Sequence, residues 1–246
     1  MSIETTLDLP SKGLTYDIPL SEIKIRPLKG GDEKLLAELS VDNIEIKYLA
    51  LLKNKIKNGD PVIKGIDPSK LTLGDRLYIL LWLRINSYSP IFKSSLVCQN
   101  CFKEVHIDID LTKIEEKSLP EDFKQPYEII LANSDKLFLR LFTIDDEIKS
   151  YEKEKRDGTE STYLYRLALS MVDSRSILER ISYLEDLPSS DLAKIKYFHE
   201  SHIHGPILDN IAYTCPKCQE VGQLTLPFRP NWLLPSGTEI FGGNFK

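Results

Sequence analysis

The sequence lacks a long apolar run. Its most apolar stretch, Leu77–Leu83, is far shorter than the roughly 20 residues of a membrane-spanning helix, and Arg84 follows it directly. The first residues also lack the basic start and the apolar core of a signal peptide. These absences predict a soluble intracellular protein with no membrane partner, in which cysteine thiols stay reduced.

An excess of basic residues is also missing. The 246 residues include 32 Lys and Arg against 37 Asp and Glu, which gives a formal net charge of -5. Nucleic acids and anionic membranes bind to basic surfaces, and no basic cluster occurs along the chain. The composition therefore predicts no nucleic-acid partner, while a hydrophobic share of 41% is sufficient for a core of one or two domains.

No catalytic motif is visible. The pairs Gly30-Gly31 and Gly242-Gly243 match neither a phosphate-binding loop nor a dinucleotide fingerprint. No Ser-His-acid arrangement can be recognised, and the carboxylates are scattered over charged segments where solvation is the default. We therefore expect a protein without enzymatic activity, with the reservation that residues far apart in sequence can converge in a fold.

The chain has only four cysteines, and all of them lie in two Cys-x-x-Cys units, Cys98–Cys101 and Cys215–Cys218. A gap of two residues lets a tight turn aim both sulfurs at one ion, and two such turns complete a tetrahedral site of four thiolates. Four thiolates also close the coordination shell. The spacing therefore predicts one structural Zn²⁺ per chain, bound by Cys98, Cys101, Cys215 and Cys218.

The two cysteine units lie far apart in the sequence. Cys101 and Cys215 are 114 positions apart, whereas a usual zinc ribbon has roughly 15 to 20 residues there. An inserted subdomain with neighbouring ends would permit this, because the closure cost grows only logarithmically with length. A redox pair is disfavoured, since it expects a helix after the first cysteine. Buried free thiols and disulfides are the remaining alternatives.

Hydrophobic periodicity predicts helices before the first cysteine unit and between the two units, and strands next to both units. Thr72 and Thr143 are good N-caps, and Asp75 mimics a capping box with Thr72. The predicted strands are Ile23–Arg26, Val105–Leu111, Tyr127–Leu131, Leu137–Phe142 and Gln223–Phe228, and Val97 and Tyr213 are interpreted as the ends of two further strands that lead into the cysteine units. The predicted helices are Asp32–Leu39, Ile44–Lys57, Leu73–Asn86, Asp145–Arg156, Glu160–Met171, Ser176–Leu184 and Ser190–Glu200.

Together these segments predict an α+β fold. It has an N-terminal helical domain with a short strand, a split zinc-ribbon-like β region, and a helical insertion between the two Cys-x-x-Cys knuckles. The predicted bounds are 1–22 for an extended N-terminal arm, 23–92 for the helical domain, 93–142 and 211–228 for the β region, 143–210 for the insertion, and 229–246 for an extended C-terminal arm.

Three histidines, His199, His202 and His204, lie close enough in sequence to suggest a second metal site. We expect instead that they occupy the last turn of a helix that Gly205 caps, where histidine interacts with the free carbonyls and the helix dipole. His106 alternates with apolar neighbours and is predicted to be a sheet residue.

Both ends of the chain combine Pro and Gly with aromatic residues. Such segments cannot build a core alone and gain order on binding, so both arms are predicted to dock onto a neighbouring protein. The alternative is that they pack against their own domain. The predicted contact residues are Leu9, Pro10, Gly13, Tyr16, Trp232, Leu234, Ile240 and Phe241.

Several stretches, taken together, resemble the T4-type bacteriophage baseplate proteins, which are described as hub subunits or hub-assembly proteins. The matching pieces are Leu9–Tyr16, then Ile23–Leu28 leading to Asp32–Leu36, and Leu73–Leu77 running into Leu83–Tyr88. The two cysteine units fit members that carry a zinc knuckle. The first part of the chain resembles the family better than the C-terminal third does.

The resemblance implies a non-enzymatic structural or assembly component of a contractile tail baseplate, in its hub region. Its partners would be other baseplate or tail proteins, or its own copies, and it would be found in the virion after assembly in the host cytoplasm. The alternative is a zinc-ribbon module associated with nucleic acid or transcription. Lys103 and Lys217 next to the cysteines are balanced by Glu104 and Glu220, which gives such a module little basic charge.

Overall fold

A computed structural model describes residues 5–18, 20–36, 40, 44–57, 67–158, 162–226, 233 and 234. These residues form seven α-helices and five two-stranded antiparallel sheets, which confirms the predicted α+β class. The helices are α1 Gly30–Leu36, α2 Ile44–Lys57, α3 Leu73–Ser87, α4 Ile144–Asp157, α5 Thr162–Ser170, α6 Ile177–Glu185 and α7 Ser189–Ser201.

The ten strands pair as β1 with β2, β3 with β4, β5 with β8, β6 with β7, and β9 with β10. Their bounds are β1 Thr5–Asp8, β2 Glu22–Ile25, β3 Ile91–Val97, β4 Glu104–Asp110, β5 Glu116–Lys117, β6 Tyr127–Ile130, β7 Lys136–Leu139, β8 Gly205–Pro206, β9 Ile211–Thr214 and β10 Val221–Leu224.

The helix starts follow the capping residues of the sequence. The Thr143 and Ser176 side chains accept hydrogen bonds from the third residue of α4 and α6, and each takes part in a complete capping box. Helix α2 has the predicted bounds, whereas Leu39, the predicted end of α1, lies outside the described residues. Local signals were therefore sufficient to place most helices to within one or two residues.

The N-terminal segment forms structure that the sequence pattern did not indicate. Strand β1 pairs with β2 in the register Thr5↔Ile25 to Asp8↔Glu22. Leu7 and Leu9 are buried in the same hydrophobic core as helices α2 and α3. The segment predicted as an extended arm thus packs against the helical domain in the described residues.

The buried apolar residues divide into two cores. The first joins the N-terminal segment, helices α1 to α3, and the two hairpins that carry the cysteines. The second joins the β6–β7 hairpin to helices α5 to α7, through contacts of residues such as Leu137, Leu139 and Phe198. The β6–β7 hairpin therefore packs with helices α5 to α7. The predicted bounds had placed it in the β region with the cysteine hairpins.

Both ends of the helical insertion, residues 143–210, meet at the start of α3. At its beginning, Ile144 N donates to Leu71 O at 3.0 Å. At its end, a Cβ added to Gly74 would lie 2.3 Å from His204 O, so the two backbones touch. The ends of the insertion are thus close together, which is the condition under which two cysteine units far apart in sequence can share one site.

Candidate metal centre

The two cysteine units form matching turns at the tips of two hairpins. In the first, Cys98 N donates to Lys103 O at 3.0 Å and Phe102 N donates to Cys98 O at 2.9 Å. The second turn repeats this pattern, with Cys215 N on Glu220 O and Gln219 N on Cys215 O, both at 2.9 Å. Two separate hairpins therefore present their sulfurs in the same way.

The four sulfurs converge. All four Sγ atoms lie within 4.8 Å of one another, with Cys98 and Cys218 Sγ 3.8 Å apart and Cys101 and Cys215 Sγ 3.9 Å apart. A tetrahedral zinc with Zn–S bonds of about 2.3 Å requires sulfurs about 3.8 Å apart. The predicted ligand set is thus brought together with the spacing that a four-thiolate metal site needs.

Hydrogen-bond donors surround these sulfurs. Backbone N–H groups of Cys101 and Asn100 lower the pKa of the Cys98 thiol to about 6. The Glu220 N–H and the Asn100 side chain lower the pKa of Cys218, and Lys217 N lies 3.4 Å from Cys215 Sγ. These donors favour thiolates, which are the form that binds metal.

The pKa of Cys101 shifts in the opposite direction to those of Cys98 and Cys218. The Lys103 N–H acts to lower its pKa, but burial and the neighbouring thiols outweigh this donor and raise the pKa to about 11. Since four negative charges within 4.8 Å repel one another, the cluster ionises fully only around a cation. A divalent ion fits this need, because it offsets the charge and completes a closed shell that leaves no position for substrate.

The histidines do not form a second centre. Among the described residues, the four cysteines are the only group of His, Cys, Asp or Glu side chains arranged to share an ion. His199 Nε2 lies 3.1 Å from Ser170 Oγ, His202 Nδ1 lies 2.7 Å from Phe198 O, and His204 Nε2 lies 2.7 Å from Thr72 Oγ1.

The positions of the three histidines relative to the end of α7 differ from those expected from the sequence. His199 lies in the last turn of α7 and His202 is its C-cap, whereas His204 lies beyond the helix. Gly205 is not the cap, and it pairs with Lys117 in β8. His106 lies in β4 with its Nδ1 2.7 Å from Ser95 Oγ, as a sheet residue.

The predicted partner-binding residues of the N-terminal segment contact their own chain. Leu9 is 2% exposed and Pro10 is buried. Gly13 has a φ of +74°, and a Cβ there would lie 2.7 Å from Leu20 C. The Tyr16 hydroxyl bonds to Asp75. These contacts match the alternative in which the segment packs against its own domain, and partner binding by these four residues stays a prediction.

At the other end of the chain, Leu234 is partly buried against the first core. Trp232, Ile240 and Phe241 lie outside the described residues, so the expectation for them stays a prediction as well.

The sequence interpretation missed the polar contact between the N-terminal segment and the start of α3. Asp75 does not close a capping box with Thr72; its carboxylate accepts from Ser11 N at 2.9 Å and from the Tyr16 hydroxyl at 2.6 Å. The Tyr16 oxygen in turn accepts from Thr72 N at 3.2 Å. Capping boxes are local patterns, whereas this arrangement needs a partner about 60 positions away, for which the sequence carries no local signal.

The fold and the sulfur geometry define an α+β protein with a four-cysteine centre shared between two hairpins. The family described as T4 bacteriophage base plate protein matches residues 2–227. The chain belongs to this family, whose members are structural baseplate proteins and generally not enzymes. No curated protein and no solved structure matches the chain. Among the described residues, no helix is both long and apolar enough to cross a membrane.

Proposed function

We propose that this protein is a non-enzymatic structural or assembly component of a contractile phage tail baseplate, in the hub region. It binds neighbouring baseplate or tail proteins and is held in shape by one structural Zn²⁺. The observation that carries this proposal is the family match over residues 2–227. The protein would be found in the virion tail after assembly in the host cytoplasm.

The sulfur geometry supports the zinc. Zinc fits a closed tetrahedral set of four thiolates, and Cys98, Cys101, Cys215 and Cys218 lie at the distances such a set requires. When bound, the ion would offset two of the four thiolate charges and tie the β3–β4 hairpin to the β9–β10 hairpin. The four residues would hold it, and the bound ion would stabilise the first core, to which Cys98 and Cys215 belong.

The nucleic-acid alternative gains no support. Lys103 and Lys217 are balanced by Glu104 and Glu220 around the cysteine turns, and a phosphate backbone requires a basic surface. Family membership favours protein partners, which are other baseplate proteins or further copies of this chain.

The experiment that tests this function is mass spectrometry of purified phage tails, combined with cross-linking in lysates during assembly. We expect peptides of this chain in tails, or cross-links between this chain and baseplate proteins while the hub forms. Presence in finished tails marks a permanent component, and cross-links without presence in finished tails mark an assembly factor. Absence from tails together with no cross-link to any baseplate protein contradicts the proposal.

A further inference from the structure

A groove lies between the two hairpins that carry the cysteines. It has a volume of about 780 Å³ and is lined by five consecutive residues of β4, His106–Asp110, and by all of β9, Ile211–Thr214. Neighbouring side chains of a strand point to opposite faces. A cavity lined by consecutive residues therefore meets each strand along its edge, so that two strand edges bound this groove.

The edge of β4 in the groove has free backbone groups. Antiparallel pairs alternate between residues that exchange both hydrogen bonds and residues that exchange none. Leu111 N, directly after β4, donates to Pro90 O at 2.8 Å, so the odd-numbered residues of β4 bond to β3. The N–H and C=O groups of His106 and Asp108 consequently point away from β3.

The edge of β9 is free in the same way. Cys215 N, directly after β9, donates to Glu220 O at 2.9 Å, which assigns the odd-numbered residues of β9 to β10. Ala212 and Thr214 therefore direct their backbone groups away from β10. In the part of the chain that the structure describes, no backbone hydrogen bond joins β4 to β9.

The groove is acidic. Four carboxylates line it, against the single cation Lys113, whose Nζ lies 3.6 Å from Asp110. The four are Asp108, Asp110, Glu115 and Asp209. Within the described ranges, the carboxylates of Asp108, Glu115 and Asp209 make no ion pair, so their charge is available to a ligand.

We propose that this groove binds an extended segment of a partner protein that bears lysine or arginine, and that the segment adds as a strand to the free edge of β4. Strand addition supplies main-chain hydrogen bonds, and alternate side chains supply specificity. The chain's own C-terminal arm, residues 229–246, carries Arg229 and Lys246 against Glu239, a formal charge of +1, so it offers the groove less positive charge than a partner segment with several Lys or Arg residues. This inference goes beyond the proposed function, which assigns no contact to these strands.

The test uses the full-length, metal-loaded protein and a fluorescein-labelled peptide of four Lys-Val repeats at low ionic strength. Fluorescence anisotropy should show saturable binding, and the matching Glu-Val peptide should bind at least about tenfold more weakly because of charge. Two further Lys-Val peptides carry N-methyl groups on alternate backbone nitrogens, one on those of the Lys residues and one on those of the Val residues. One of the two should lose at least about tenfold in affinity, because its methyl groups block the N–H groups that pair with the strand.

Protein variants separate this groove from other acidic surface. The double variant Asp108→Asn with Asp209→Asn should weaken Lys-Val binding about fivefold, which corresponds to two exposed ion pairs. The matched control, Asp122→Asn, changes an exposed aspartate away from the groove and should leave binding unchanged.

Three results would overturn the inference. They are no saturable binding by wild type, equal binding of both N-methylated peptides, or equal weakening by Asp122→Asn. The peptide comparison uses wild-type protein, so it decides the matter even if the double variant fails to fold. Because the isolated chain is used, these results also leave the baseplate role open to its own test.

Discussion

The hydroxyl of Tyr16 donates a 2.6 Å hydrogen bond to the carboxylate of Asp75, 59 positions further along the chain. Asp75 is 0% exposed and also accepts from Ser11 N. This bond joins the Leu9–Tyr16 stretch to the Leu73–Leu77 stretch, two of the pieces on which the baseplate resemblance rests. The N-terminal segment is thus held to the start of α3 by a buried polar contact, together with the apolar packing of Leu9.

Replacing Tyr16 by Phe removes this hydroxyl and leaves Asp75 with one partner fewer. We expect a loss of about 1.5–3 kcal/mol in the free energy of unfolding, the range for hydrogen bonds to charged groups. Urea denaturation measures it. The matched control is Tyr88→Phe, whose hydroxyl bonds to exposed Glu33 at the same 2.6 Å. There the loss should be about 0.5 kcal/mol, and equal losses in both variants would contradict the role given to burial.

The contact between Gly74 and Gly205 predicts that alanine substitutions at different glycines have opposite effects on stability. A Cβ at Gly74 would meet His204 O at 2.3 Å, and one at Gly205 would meet Gly74 O at 2.5 Å. Gly74→Ala should therefore destabilise the protein by about 3 kcal/mol, at the upper end for overpacking. Gly31→Ala in α1 meets nothing within 4 Å and should stabilise by about 0.5–1 kcal/mol from helix propensity. A tolerated Gly74→Ala in thermal denaturation would contradict this close crossing.

His199 predicts a dependence of stability on pH. Burial, followed by the charges of Arg166, His202 and Arg140, lowers its pKa from 6.5 to about 3. Its ring stacks on Phe142 at 4.0 Å. Since the unfolded chain binds this proton below about pH 6.5 and the folded chain does not, stability is full above that pH and falls as pH drops towards 3.

The measurement is the free energy of unfolding of wild type and of His199→Gln between pH 8 and pH 5.5. Wild type should lose about 1 kcal/mol more than the variant over this interval, because Gln retains a hydrogen-bond donor for Ser170 without titrating. The variant keeps all four cysteines, so metal loss at low pH affects both proteins alike. Identical pH profiles would show that His199 is not held neutral.

Phe102 predicts a gain in stability. It has a φ of +57° and is 80% exposed, and a left-handed backbone costs roughly 1–2 kcal/mol in a residue with a Cβ. Phe102→Gly should therefore stabilise the first cysteine turn by up to about 1 kcal/mol, measured by thermal denaturation. Phe102→Ala is the control, since it removes the ring and keeps the strain. Gln219→Gly, with a φ of +63° in the second turn, should behave like Phe102→Gly.

The sequence predicted best what local signals determine. Thr143 and Ser176 marked helix starts, and the spacing of the four cysteines predicted a site whose sulfurs the structure brings together. Strands β1, β5 and β8 were missed because they have two to four residues and pair with distant segments. Such strands owe their existence to their partners, and their own pattern carries too little information.

Features that depend on the relative placement of distant elements were also beyond the sequence. The sequence pattern placed Asp75 in a local capping box with Thr72, whereas its side chain accepts a hydrogen bond from the Tyr16 hydroxyl. The groove between β4 and β9 depends on two hairpins that a helical segment separates, and its edges become apparent only when their pairing is known. The division into two cores likewise follows from the packing of the β6–β7 hairpin against α7.

We propose that both cysteine turns share one structural metal ion. This proposal is tested most directly by metal analysis and X-ray absorption spectroscopy of reduced protein purified without added zinc. We predict about one zinc per chain with four sulfur neighbours at about 2.3 Å, and loss of the metal with several kcal/mol of stability in Cys215→Ser. Folded, reduced protein with almost no metal, or an ion whose shell contains nitrogen or oxygen in place of sulfur, would contradict the account.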